Sequence, residues 1–210
     1  GVTKIYDWFD IDDIYTPPVP YDAGLCLGAA QYLYHQELDK PKVVWSDNSP
    51  TYLGETYGKD KVDEALEKYK DEINVEFCDD ARVVELLNEQ NIISVFGGGS
   101  ESGRRALGNR SILADPRSKS MKDIINDKVP AVIHFDGTAR LQSVSEKDNK
   151  WYHGFISKWF KKSGVPIVLN TSFNDREPIV ETPEHAINCY MGTNIDYLYF
   201  FDFGLLVSKR

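Results

Sequence analysis

Residues 97–111, GGGSESGRRALGNRS, combine five glycines, one carboxylate and three arginines in a stretch too irregular for a helix or strand core. Glycines let a backbone turn its N–H groups inward, and guanidinium forks match phosphate or carboxylate oxygens two at a time. The stretch is therefore suited to a phosphate-bearing ligand. A glycine-rich surface turn whose arginines pair with nearby carboxylates meets the same spacing. Neither GxxxxGK[ST] nor GxGxxG is present.

Two further stretches carry polar groups at predicted strand ends. In HFDGTARLQSV, residues 134–144, Asp136-Gly137 is a turn signal between strand-like runs, so Thr138 and Arg140 would emerge at a sheet edge. Read alone, it is equally a plain hairpin. In VLNTSFNDREPIV, residues 168–180, an apolar strand ends in Asn170, Thr171 and Ser172, with Asn174, Asp175 and Arg176 just beyond. Open α/β sheets hold ligands at such ends, although hydroxyls that only cap a loop give the same pattern.

Other reactive residue types are scattered. His35, His134, His153 and His185 lack metal-ligand spacing, and Cys26, Cys78 and Cys189 form no CxxC or CxxH pattern. Three cysteines do not build a disulfide framework, which points to a reducing, cytoplasmic setting. No Ser-His-Asp or Cys-His set stands out.

The elements that must position these groups follow from periodicity. After Pro17, Pro18 and Pro20, Asp22 stands as N-cap to a helix over Ala23–Leu38. A polar loop at 46–59 leads to helices over Asp60–Lys70 and Asp80–Gln90 and to a strand over Ile92–Phe96. Helix and strand then alternate: a helix near Ser118–Ile125, strands AVIHF and RLQSVS, a helix over Trp151–Lys162, strand PIVLN, a helix after Thr182, and strands YLYFF and GLLVS. Thr182, Pro183 and Glu184 supply an N-cap hydroxyl, a first-turn proline and early negative charge. Trp151, Tyr152, Trp159 and Phe160 recur at helical spacing, as a core face does. The pattern predicts an α/β fold with a twisted mixed sheet and flanking helices, and a domain boundary within Glu72–Asp79.

Composition limits the partners. A net charge of -9 argues against nucleic acid or an anionic membrane. Between Gly98 and Arg140, however, eight Lys/Arg stand against five Asp/Glu, a basic island suited to a small anion. No apolar run approaches the ~18 residues of a membrane span, and the first residues lack a signal-peptide pattern.

Taken together, YDAGLCLGAA, SPTYLG, SGRRALGNRSILADPR, PAVIHFDGTARLQSV and GVPIVLNTSFNDREPIVETPEHAI resemble, in order, the C-terminal half of the O-carbamoyltransferases of nodulation-factor and antibiotic tailoring (NodU/CmcH/TobZ-like). The resemblance implies that residues 1–78 are the helical tail of an ASKHA-type, actin-like carbamoyl-transfer domain. It implies that residues 79–210 are a YrdC-like domain that makes carbamoyladenylate from carbamoyl phosphate and ATP. The carbamoyl group would then pass to a hydroxyl of a small-molecule acceptor.

On the same resemblance Arg105, Arg140 and Ser172 are the catalytic set. Lys128, Asn109, Arg110, Thr138, Asn170, Thr171 and Asn174 are the substrate and ATP contacts, and Asp22 is a metal ligand. Mg²⁺ would accompany ATP, and Fe²⁺ or a similar cation the ASKHA-type domain. The expected partners are these small molecules, with no nucleic acid and no membrane, a possible homodimer, and a missing N-terminal part of the same chain.

The sequence also departs from the family pattern. A segment normally found near residues 128–130 is absent, and Gly99, Ser102 and Arg104 stand where arginine, phenylalanine and proline are usual, while Glu101 and Arg105 keep their places. A degenerate, non-catalytic nucleotide- or partner-binding module is the alternative expectation. Threonylcarbamoyl transfer to tRNA is disfavoured by the acidic charge.

Overall fold

The computed structural model describes residues 19, 22–42, 51–103, 105–117 and 142–210. Contacts divide the chain into two compact units, Gly1–Trp45 and Ser46–Arg210. In the first unit a 3-10 turn, Asp22–Gly24, precedes helix α1, Leu25–Tyr32, which runs into a π-helical turn over Leu33–Glu37. The turn moves the N-cap position from the expected Asp22 to Gly24, which makes no side-chain capping bond. A Cβ on Gly24 would stand 2.1 Å from the Val19 carbonyl oxygen, so only glycine fits there. Leu25, Tyr32, Leu33 and Leu38 are exposed rather than buried along one face.

The second unit contains helices α2 (Lys59–Glu67), α3 (Asp80–Asn88), α4 (Lys150–Ser163) and α5 (Pro183–Met191). Its strands are β1 (Ile73–Phe77), β2 (Ile93–Phe96), β3 (Arg110–Ala114), β4 (Leu169–Ser172), β5 (Tyr197–Phe200) and β6 (Leu205–Lys209). They form one six-stranded sheet in the order β1-β6-β5-β2-β3-β4. Only β2 and β5 pair in parallel. The expected α/β class with a mixed sheet and flanking helices is what the chain adopts.

Period-two alternation gives the sheet two apolar faces. Phe96, Ile112, Leu198, Phe200, Leu205 and Val207 pack on one side with Val62, Ala65 and Leu66 of α2 and Ala186, Ile187 and Tyr190 of α5. Ile93, Val95, Leu113, Tyr199 and Leu206 pack on the other with Val83, Leu86 and Leu87 of α3 and Phe155 and Trp159 of α4. Two strands escaped the sequence reading. The run at 73–77 had been assigned to a domain boundary, yet β1 pairs with β6 along its length, from Ile73↔Lys209 to Phe77↔Leu205. The stretch Glu72–Asp79 lies inside the compact unit Ser46–Arg210. β3 lay hidden within a motif read as a loop. Conversely, residues 142–145 of the expected RLQSVS strand are not in a strand, while AVIHF and the helix near Ser118–Ile125 lie outside the described residues.

Helix ends are fixed by polar side chains, with the expected Thr182 cap in place. Thr182 accepts the His185 N–H at 3.1 Å with Pro183 at the first turn. Asp79 accepts from Arg82 and Asn149 from Tyr152, and Gly164 closes α4 at φ 75°. Asp80, one residue into α3, ties the α3/α4 layer to the sheet: it accepts from Trp151 Nε1 at 3.1 Å, the Tyr199 hydroxyl at 3.1 Å and Lys158 at 2.5 Å. Trp151 in turn stacks on Phe201 with centroids 3.7 Å apart. Asp80→Ala strands two donors in the core, and a loss of about 2–4 kcal/mol in urea unfolding is expected.

Asp115, just past β3, supplies a pH-dependent contribution. Burial pushes its carboxyl upward, but hydrogen bonds from the Arg117 side chain and backbone, the Arg117 charge and Gln90 together hold it below 3.8. Because the folded value is depressed, this contribution is complete above the ordinary value and is lost as pH falls through the folded one. Wild type should therefore lose more stability below about pH 4 than Asp115→Asn, read as the difference between their urea midpoints across an acid series.

Candidate functional site

β1, β2, β4 and β5 all finish at one end of the sheet, since β4 runs antiparallel to β3 and β3 antiparallel to β2. The glycine-rich loop leaves β2 at this end and returns as β3. Ser172 pairs with Ser111 and Asn170 with Leu113, so the two motifs lie side by side, with Asn170 and Ser172 on the α3/α4 face. Thr171 pairs with Ile112 and takes the opposite face. This is where open α/β sheets hold ligands.

The loop is organised around its own carboxylate. Glu101 Oε1 accepts the backbone N–H groups of Leu107, Asn109 and Arg110 at 2.8, 2.9 and 3.2 Å. Gly98 N–H goes to Asp202 at 2.7 Å, Gly108 N–H to the Ser111 hydroxyl, and Ser102 N–H to the Thr51 carbonyl. Amides expected to turn toward a phosphate are thus consumed by the protein.

Arg110 completes the framework. Its side chain is fully buried with the guanidinium 3.7 Å over the Phe96 ring, and it donates to the carbonyls of Gly97, Asn109, Gly98 and Glu181. Burial lowers its proton affinity, opposed by the negative charges of Glu101 and Glu181.

Residues 51–54 clamp the loop from outside. Gly54 N–H donates to the Ser100 carbonyl at 3.1 Å, and the Tyr52 hydroxyl donates to that of Leu107 at 3.0 Å. The approach is so close that a Cβ on Gly99 would meet the Gly54 carbonyl oxygen at 2.5 Å. On the α4 side, Gly108 holds φ 113° against Tyr152, and Asn149 donates to Asn109 Oδ1 at 2.8 Å. Burial, together with the nearby Glu101 and Asp148 charges, pushes the Tyr52 hydroxyl up to about 12 against the opposing Asn149 hydrogen bond.

Among the described residues four buried side-chain polar atoms lack a partner: Glu101 Oε2, Arg110 Nε, Asn170 Oδ1 and Asn174 Oδ1. All four belong to the glycine-rich loop, its return strand or the β4 end. Buried polar groups are nearly always satisfied, so their confinement to two adjoining motifs marks this end of the sheet.

The structure brings some of the sequence-predicted contacts together and not others. Arg105 is exposed on the loop. Asn109 is buried and donates to the Gly99 carbonyl at 2.8 Å. Asn170 donates to the Ala106 carbonyl and Asn174 to that of Glu177, each at 2.9 Å. Ser172 is partly buried beside the loop. Arg110 sits beneath the loop as a structural tie. Lys128, Thr138 and Arg140 lie outside the described residues, and Asp22 belongs to the other unit. No group of three His, Cys, Asp or Glu side chains able to hold a metal occurs among the described residues. Glu101, Tyr52, Asn149 and Tyr152 were not singled out as contacts. Glu101 and Tyr52 stood inside quoted motifs, whereas nothing local distinguishes Asn149 from any other helix N-cap.

A family model described as Carbamoyltransferase C-terminus matches residues 84–130 and 126–206. An uncharacterised protein of Methanocaldococcus jannaschii is 33% identical over 258 aligned residues, covering 99% of this chain and 42% of its own length. Nodulation protein NolNO of Sinorhizobium fredii is 34% identical, covering 94% of this chain and 36% of its own length. Nodulation protein NolO of Bradyrhizobium diazoefficiens is 33% identical, with 95% and 45% covered. The chain thus spans less than half the length of these relatives.

Arg110→Met, which keeps the length but abandons four carbonyls, is expected to cost about 2–4 kcal/mol in chemical unfolding.

Proposed function

The chain belongs to the carbamoyltransferase C-terminus family, and on that premise we propose that it is the adenylating part of an O-carbamoyltransferase. In this reading carbamoyl phosphate and ATP yield carbamoyladenylate with release of phosphate and pyrophosphate, and the carbamoyl group passes to a hydroxyl of a small-molecule acceptor. The observation that carries the reading is the clustering of all four orphaned buried polar atoms on the two motifs that meet at the carboxyl end of the sheet.

The roles follow from placement. Arg105, exposed on a loop held rigid by Glu101 and Arg110, neutralises charge on a departing phosphate without reorganising. Arg140 and Lys128 would add the further cations that phosphoryl chemistry requires, and Thr138 a hydroxyl. Ser172, at the β4 end, offers a hydroxyl to the carbamoyl or phosphate oxygens, and Asn109, Asn170 and Asn174 shape the surrounding wall, while Thr171 faces the other side of the sheet. Mg²⁺ bound with ATP would screen the nucleotide phosphates. The iron-type cation expected with Asp22 does not fit the described residues by themselves, because Asp22 is exposed and no group of three possible ligands occurs among the described residues. No step is assigned to a protein-bound metal.

A second reading, a nucleotide- or partner-binding module without catalysis, is favoured by one observation. The described part of the site shows more free acceptors than available cations. The two readings separate in one assay on the full natural chain: carbamoyl-phosphate-dependent release of pyrophosphate from ATP. Turnover supports the transferase, whereas binding of an ATP analogue without pyrophosphate supports the module. Within the transferase reading, Arg105→Ala is expected to lower kcat/KM by roughly 10²-fold while leaving the unfolding midpoint unchanged, since the side chain is exposed.

A further inference from the structure

Three of the four orphaned atoms, Glu101 Oε2, Asn170 Oδ1 and Asn174 Oδ1, are hydrogen-bond acceptors. Acceptors repel phosphate oxygens and call for a group that offers N–H or O–H. Glu101 is the sharpest case. Its residue is 9% exposed and Oε1 is saturated by three backbone N–H groups, while Oε2 is closed to solvent and receives no donor from any described residue. Glu101 takes the Leu107 N–H and Asn170 donates to the Ala106 carbonyl, so the two side chains fix opposite edges of one peptide group of the loop. Ser102, Gly103 and Leu107 around Glu101 are partly exposed, which leaves the carboxylate one layer below the surface.

We propose that Glu101 Oε2 accepts an N–H from the NH2 of the carbamoyl group and thereby distinguishes carbamoyl from acyl groups of the same shape. The inference rests on the carbamoyl-donor reading above. A carbamoyl nitrogen is planar, carries two donors and offers no usable lone pair, which is the complement of a carboxylate oxygen already fixed in place. An acetyl group puts a methyl at the same position and leaves the buried charge unpaired, and sites built on such a hydrogen bond reject the analogue that lacks it. Phosphate recognition falls to the arginines on other parts of the site, so the two ends of carbamoyl phosphate are read by opposite chemistries.

Two measurements on the full natural chain test this. The first compares pyrophosphate release from ATP driven by carbamoyl phosphate and by acetyl phosphate, in wild type and in Glu101→Gln. Glutamine keeps an Oε1 for the three loop amides but presents an NH2 donor in place of the free acceptor. Wild type is expected to prefer carbamoyl phosphate by about 10- to 100-fold or more in kcat/KM, and the variant, folded but with a lower urea midpoint because three charge-assisted bonds become neutral, to lose most of that preference. An unchanged preference in a folded variant overturns the proposal, because the oxygen is then filled by water or by another side chain of the chain.

The second needs no variant: calorimetric binding to wild type of phosphonoacetamide and of acetonylphosphonate, stable analogues that differ by NH2 against CH3. Binding of the amide about 10- to 100-fold more tightly supports the role of Glu101, and equal affinity overturns it. Absence of pyrophosphate release with either donor in wild type would sink the carbamoyl-donor reading, and the analogue pair would still decide whether the free oxygen recognises an amide.

Discussion

A single carboxylate determines the shape of the glycine-rich end of this sheet. The loop between β2 and β3 is long for a connection between adjacent antiparallel strands, and every backbone N–H and C=O that it buries needs a partner. Glu101 supplies that partner for three N–H groups, and Arg110 supplies it for four carbonyls from the opposite direction. Neither side chain forms an ion pair with the other; each spends its charge on main-chain dipoles. Charged partners make stronger bonds than neutral ones, which is how an irregular segment stays fixed without secondary structure of its own.

The glycines make this arrangement sterically possible. Gly98 and Gly108 occupy positive φ, and Gly54 and Gly99 let the 51–54 segment press against the loop at distances no side chain would permit. The same glycines first suggested an anion cradle. In the folded chain they serve close packing and backbone reversal, while much of the amide surface they expose is turned inward to Glu101, Asp202 and Ser111.

One layer of helices then holds this end in place. α3 and α4 are joined to the sheet through Asp80, and α4 begins at Asn149, which caps its own helix and reaches across to Asn109 in the loop. A rigid support matters for chemistry that depends on positioning and fixed charge, because groups that need not reorganise during reaction stabilise developing charge most effectively. Arg105 emerges from this frame into solvent, while Asn170 and Asn174 keep an unpaired oxygen each on the neighbouring strand end.

The sequence by itself determined the class of fold, most helices and the central strand β2, because apolar periodicity, caps and prolines act over a few residues. It missed β1 because four of that strand's five residues are exposed and its pairing partner, β6, lies more than a hundred residues away. It missed β3 because its charged first residue, Arg110, reads as a surface group until burial against Phe96 is known. Only the tertiary structure decided which charges face solvent and which face the protein. Arg105 and Arg110 are alike in a motif, yet one is exposed and the other fully enclosed, and Glu101 became the organising residue through amides that the fold alone brings within reach. The physical reason is that a charge's partner is chosen by distance in space, which local sequence does not encode.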